Sequence, residues 1–135
     1  MAIDFGEKRT GIAVTDPLRI IANGLTTVDT PRLKEFLKDY FNREEVDTVV
    51  IGYPKTLSNE LAKVAGKIDV FLAWLTNEFP QMKVVKVDER FTSKLAFQTM
   101  IDSGIGKKAR QNKALIDQIS ATIILQSYLE SCQNL

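Results

Sequence analysis

An aspartate sits inside an apolar segment, Met1-Ala2-Ile3-Asp4-Phe5-Gly6, which runs through Glu7-Lys8-Arg9 into Thr10-Gly11-Ile12-Ala13-Val14. Two apolar, β-branched stretches around a glycine turn predict a hairpin, with strands over 2–5 and 10–15. A carboxylate in such a strand needs an explanation, because an ionised acid is seldom buried without a partner. Strand alternation puts Asp4 on the side of Ala2, the smallest neighbour, and Ile3 and Phe5 on the other. Two further acids pose the same problem. Asp88-Glu89 closes the apolar run Met82-Lys83-Val84-Val85-Lys86-Val87, and Asp117 lies inside the helical pattern of residues 113–129. Three acids, each at the edge of an apolar element, point to one shared metal site.

The length of 135 residues fits one domain spanning 1–135, enough to bury roughly two-thirds of the unfolded surface. Hydrophobic residues make up 44% and charged residues 26%, the balance of an ordinary globular chain. No apolar stretch approaches the ~20 residues of a membrane-spanning helix, and the expected location is cytoplasmic, with no membrane partner. The lone Cys132 excludes an internal disulfide and a thiolate cluster. The lack of any histidine decides more. It removes serine and cysteine catalysis of the histidine-dependent kind and the usual zinc sites, leaving carboxylates, lysines and backbone for any chemistry. A net charge of +1 gives no global pull toward a polyanion, so any such affinity must be local.

After the hairpin, residues 20–28 read as a third strand with Gly24 as a bulge. Thr30-Pro31 reads as the cap and first position of a helix that ends near Asn42. Thr48-Val49-Val50-Ile51-Gly52 is a continuous apolar strand of the kind covered on both faces. Ser58 caps a long helix to about Glu78, stopped by Pro80, and Val84 to Val87 forms the fifth strand. Thr92 or Ser93 starts a helix through Ser103 with Gly104 after its end, and a last helix spans about 113–131. The order βββαβαβαα gives an α/β fold, a five-stranded mixed sheet flanked by helices.

Asp88-Glu89-Arg90 falls at the carboxyl end of a buried strand, where open α/β sheets build their sites; alternation does not decide which acid turns toward Asp4. Asp117 shares its helix face with Ala114, Ser120, Ala121 and Ile124, a packing face and not a solvated one. A turn cap for Asp4, a surface ion pair for Asp88-Glu89 and a helix-start acid for Asp117 are the plainer alternatives. If the acids converge, their mutual repulsion calls for a cation. All-oxygen ligands favour Mg²⁺ or Mn²⁺, which can activate water and stabilise the leaving oxygen in phosphodiester cleavage. Lys8 and Arg9 in the first turn can hold phosphate oxygens, as can Arg90. The stretch from Gly104 to Lys113 carries Lys107, Lys108, Arg110 and Lys113 with no acid, a basic loop suited to a nucleic-acid backbone. It has no aromatic residue to stack bases, which favours recognition by shape.

The stretches Ile3-Asp4-Phe5-Gly6, Lys8 through Pro17, Val50-Ile51-Gly52-Tyr53-Pro54, Val87 through Ser93 and Asp117-Gln118-Ile119-Ser120-Ala121 resemble the YqgF/RuvX family, in order and over nearly the whole chain. Its members are described as Holliday junction resolvases and as nucleases that mature the 5′ end of pre-16S ribosomal RNA. The resemblance implies a ribonuclease H-like fold and a divalent-metal nuclease with its carboxylates at Asp4, Asp88-Glu89 and Asp117. Family members commonly have more residues before the first motif aspartate, so the first strand here is expected to be short. They also often have a glycine where this chain reads Lys55-Thr56-Leu57-Ser58-Asn59.

Three function classes follow. The preferred one is a nuclease acting on structured nucleic acid, pre-rRNA or branched DNA, as monomer or homodimer. An actin-like sugar or acetate kinase would need two related lobes, and this length supplies one. A noncatalytic ribosomal RNA module, working with ribosome-assembly components, would use the same surface without turnover.

Overall fold

The short strand β1 (Ala2–Asp4) lies at the centre of the sheet, where both flanking positions are filled by other strands. The computed structural model describes residues 1–54, 58–88 and 112–133. Beside β1 run β2 (Arg9–Thr15), β3 (Ala22–Asp29), β4 (Thr48–Tyr53) and β5 (Lys83–Asp88), in the order β3-β2-β1-β4-β5. β1 pairs antiparallel with β2, matching Asp4 with Gly11, and parallel with β4, matching Ile3 with Ile51. β4 and β5 are also parallel, so β1, β4 and β5 present their carboxyl ends on one side. The expected mixed five-stranded sheet is therefore present.

Alternation along these strands builds two cores. Ile3, Ile12, Val49 and Ile51 point to the face covered by α1 (Leu33–Arg43) and α2 (Asn59–Glu78), where Leu37, Ile68 and Leu75 are fully buried. Ala2, Ala13 and Val50 point to the opposite face, under α3 (Lys113–Gln133), against Ala121, Ile124 and Leu125. The second face is lined by small residues, which lets α3 lie close to the sheet. No helix among the described residues is long and apolar enough to cross a membrane.

Three local expectations change. Residues 20 and 21 belong to a turn and not to the third strand, because the Asp16 carboxylate accepts the amides of Ile20 and Ile21, each at 2.8 Å, and that of Leu18 at 3.2 Å. Those three bonds hold the Asp16 carboxyl below its usual pKa, and Arg19 turns the chain at φ 59°. Thr30 does not cap α1. Its hydroxyl donates to the Gly6 carbonyl at 2.6 Å and meets the Thr10 hydroxyl at 2.9 Å, so it ties the β1–β2 turn down, and Thr30–Arg32 forms a 3₁₀ turn ahead of α1. The bulge falls at Leu25, beside Gly24: Ile12 pairs with Thr26 and Ala13 with Gly24. Ser58 does cap α2, accepting from the Leu61 amide. The helix expected after Thr92 or Ser93 lies outside the described residues, as do Gly104 and most of the basic stretch.

Gly66 stands in the middle of α2, and a Cβ built there meets no atom within 4 Å. A helix-interior glycine costs about 0.5–1 kcal/mol relative to alanine. Gly66→Ala is accordingly expected to raise stability by about that amount in a urea titration; a lower midpoint would mean that the site is not open.

Candidate active site

Two of the predicted acids lie on one face of the sheet, Asp4 at the carboxyl end of β1 and Asp117 on α3. Asp4 ends β1 on the side of Ala2, the side α3 covers. Its cross-strand partner Gly11 faces the same way, and a Cβ on Gly11 would lie 2.0 Å from the Asp117 carbonyl oxygen and 3.1 Å from the Asp117 Cβ. Asp117 is thus seated directly over the strand position next to Asp4. The cause is the missing side chain at Gly11, which allows the helix backbone to touch the sheet.

Asp117 reaches this place from the first turns of α3, whose start is fixed by Asn112: its side-chain oxygen accepts the amides of Ala114 at 3.1 Å and Leu115 at 3.3 Å. Thr27 adds a tie from β3 by donating to the Ala114 carbonyl at 2.6 Å. Arg9, at the start of β2, donates from Nε to the Asp117 carboxylate at 3.0 Å. Burial pushes the Asp117 carboxyl above its ordinary pKa, and the Arg9 guanidinium and the Lys113 charge offset this only in part.

A carboxyl whose pKa rises on folding binds protons more readily in the folded state, so its stability contribution declines as pH rises from the ordinary carboxylate range through the raised value. Asp117→Asn is therefore expected to melt at or above the wild-type temperature at pH 7, an advantage that shrinks as pH is lowered toward 4. A clear loss of stability at pH 7 would mean that the Arg9 pair outweighs the burial.

Asp88 ends β5 with the opposite parity to Asp4. Val85 and Val87 pack with the α3 cluster, whereas Lys86 extends over the α2 face, 3.7 Å from Asp69 and over the Tyr53 ring. Asp88 follows Lys86, so the structure does not bring it to the face of Asp4 and Asp117. Among the described residues no group of three or more acids, histidines or cysteines stands close enough to hold a metal ion. Glu89, Arg90, Lys107, Lys108 and Arg110 lie outside the described residues. Of the other predicted cations, Lys8 is exposed in the β1–β2 turn, Lys113 is exposed at the start of α3, and Arg9 is engaged with Asp117.

Two site residues escaped the sequence reading. One is Gly11, for which a signal existed, since a glycine inside an apolar strand marks a close approach of another backbone. The other is Arg9 as a partner of Asp117: the two are 108 positions apart, and no local pattern links them.

Residues 1–131 match the family model described as RuvX, Holliday junction resolvase. The chain belongs to the RuvX family. It is 60% identical to a protein of Flavobacterium johnsoniae named "Putative pre-16S rRNA nuclease", over 97% of this chain and 95% of that one. A protein of the same name from Bacteroides fragilis is 55% identical with the same coverage. Among solved structures, the fowlpox virus resolvase with its substrate Holliday junction DNA shares the fold at a TM-score of 0.57, with 16% identity over 96% of this chain and 95% of that one. The α/β architecture of this RuvX member is therefore ribonuclease H-like, and its family and named relatives support a nuclease.

Proposed function

We propose that this chain is a divalent-metal-dependent nuclease that hydrolyses phosphodiester bonds of structured RNA and processes the 5′ end of pre-16S ribosomal RNA in the cytoplasm, acting as one domain. The observation that carries the reading is the placement of Asp4, at the carboxyl end of β1, and Asp117, on α3, on one face of the sheet, with α3 pressed against Gly11. The relatives at 55–60% identity are named for pre-16S rRNA, which favours RNA as substrate. Resolution of four-way DNA junctions is the second reading, favoured by the family description.

The donor set fits a hard cation. It offers carboxylate oxygens, the chain has no histidine, and a dication would relieve the strain that burial places on ionised Asp117. Asp4 and Asp117 would hold it. The third ligand is assigned to Glu89 and not to Asp88, because Asp88 lies on the side of Lys86, away from α3. Such a cation, when bound, stabilises the negative charge that develops on the phosphate during hydrolysis. The chain's own part is positioning. Asp4 is fixed by strands on both sides, Arg9 orients Asp117, and Lys8, Lys113, Arg90, Lys107, Lys108 and Arg110 supply the cations for neighbouring phosphates.

The test is cleavage of labelled pre-16S ribosomal RNA and of a four-way DNA junction, each with Mg²⁺, Mn²⁺ or EDTA. Cutting of the RNA that stops in EDTA is expected. Cutting of the junction alone would establish the second reading, and tight RNA binding without cleavage of either would replace both with a binding module.

A further inference from the structure

Thr10 brings a buried hydroxyl into an apolar strand. It stands between Arg9 and Gly11 and is fully buried, on the side of Ile12, which α1 and α2 cover. A hydroxyl taken out of water costs free energy unless it finds a partner, and valine would offer the same β-branched shape without that cost. The partner is Thr30, whose Oγ1 lies 2.9 Å from that of Thr10. Thr30 donates its single hydroxyl proton to the Gly6 carbonyl at 2.6 Å, so Thr10 is the donor within the pair. The outcome is a one-directional chain from Thr10 through Thr30 to Gly6, in which each bond polarises and strengthens the next.

The chain ends on the turn that joins β1 to β2. Thr30 holds this turn twice, because its backbone amide also donates to the Lys8 carbonyl at 3.0 Å. The turn has no slack at Gly6: a Cβ there would lie 2.3 Å from the Arg9 carbonyl oxygen, so the two ends of the turn are pressed together. A further tie, the ion pair of Glu7 with Lys67 at 3.3 Å, is exposed to solvent and correspondingly weak.

Both ends of the turn lead to the candidate acids. Asp4 stands two residues before Gly6, and Arg9 directly follows Lys8 and donates from Nε to the Asp117 carboxylate at 3.0 Å. The two hydroxyls belong to the face of the sheet opposite the acids, so their effect passes through the backbone and not through substrate.

We infer that Thr30, oriented by Thr10, is a positioning residue of the nuclease: by fixing the carbonyls of Gly6 and Lys8, it sets Asp4 and the Arg9–Asp117 pair relative to one another. The inference rests on the nuclease reading and adds to it a residue that carries no charge and touches no phosphate.

The test compares Thr30→Val, which keeps the shape and removes the hydroxyl, with Thr30→Ser, which keeps the hydroxyl. Single-turnover cleavage of saturating labelled pre-16S ribosomal RNA with Mg²⁺ is read at a temperature where circular dichroism shows every chain folded, and RNA affinity is read in EDTA. Thr30→Val is expected to lose about 10- to 100-fold in rate, the scale of a sub-ångström to 1 Å misplacement at a reacting centre. Its RNA affinity is expected to stay within about twofold, since affinity comes mainly from phosphate neutralisation by lysines and arginines that remain. Thr30→Ser is expected to recover most of the rate, and Thr10→Val, which leaves Thr30 its bond to Gly6 but removes the donor that orients it, to fall between. A signature that loss of stability alone would not move is the Arg9 Nε–H resonance: its exchange with water, slowed by the bond to Asp117, is expected to quicken in folded Thr30→Val and to slow again in Thr30→Ser. A wild-type rate in folded Thr30→Val would overturn the inference, as would equal losses in the valine and serine variants or an unmoved Arg9 signal. Failure of the nuclease reading looks different: wild type cuts neither RNA nor junction with Mg²⁺, while the Arg9 signal still follows the hydroxyl at position 30.

Discussion

Asp4→Asn is expected to lower metal-dependent cleavage by about 10³-fold or more, with the fold unchanged. A ligand that carries charge to a cation at the phosphate supplies several kcal/mol of transition-state stabilisation, and each ~1.4 kcal/mol is a factor of ten. Asparagine keeps the volume and one acceptor oxygen of aspartate, so the β1 pairing with β2 and β4 has no steric reason to change. Two measurements separate chemistry from structure. Single-turnover cleavage of labelled RNA reads the first, and Mn²⁺ titration by calorimetry reads whether the charge at Asp4 holds the ion. Weakened Mn²⁺ binding, lost cleavage and an unaltered melting temperature are expected together. Cleavage by the variant at the wild-type rate would remove Asp4 from the mechanism and with it the argument from the strand end. The same comparison on Asp88→Asn and Glu89→Gln tests the choice of third ligand: the loss should be smaller for Asp88, which stands on the side of Lys86.

The sheet was largely legible because its signals are local. An apolar hairpin, a covered strand at Thr48–Tyr53 and helices with a regular apolar spacing each announce themselves within a few residues. The errors also had local causes of a kind that composition hides. Ile20 and Ile21 look like strand residues, but one Asp16 carboxylate takes three amides and makes a turn of them. Thr30 has the identity and the position of a helix cap, yet its hydroxyl is drawn to Gly6 by tertiary geometry. The candidate site was half legible. An acid in an apolar strand or on an apolar helix face is conspicuous, which singled out Asp4 and Asp117. Their placement on one side of the sheet could not be read directly, since it depends on Gly11 opposite Asp4 and on Arg9 reaching α3 across the fold. That Asp88 lies on the side of Lys86 depends on which side of β5 meets α3, a fact of packing and not of the local sequence.

The same substitution at Gly11 and Gly66 is expected to give opposite results, and the effect at Gly11 is the larger. Gly11→Ala places a Cβ 2.0 Å from the carbonyl oxygen and 2.4 Å from the carbonyl carbon of Asp117. These are helix backbone atoms, which cannot turn aside as a flexible side chain would, so α3 must lift from the sheet. Overpacking of a tight interior commonly costs about 1–3 kcal/mol and sometimes more. Relief of the glycine entropy returns only about 0.5–1 kcal/mol. The net is a loss of roughly 1–2 kcal/mol, which for a chain of this size lowers the melting temperature by about 3–8 °C. Gly66→Ala, with nothing within 4 Å of the new methyl, should move it the other way. The functional consequence at Gly11 is larger than the thermal one. Raising α3 moves Asp117 away from the face of Asp4, and a displacement of even 1 Å at a reacting centre can cost about 10²-fold in rate. Gly11→Ala should therefore lose cleavage at temperatures where it remains fully folded by circular dichroism. Full activity in a folded Gly11→Ala chain would show that the close seat of α3 is a packing detail, and that Asp117 does not have to stand where the sheet now holds it.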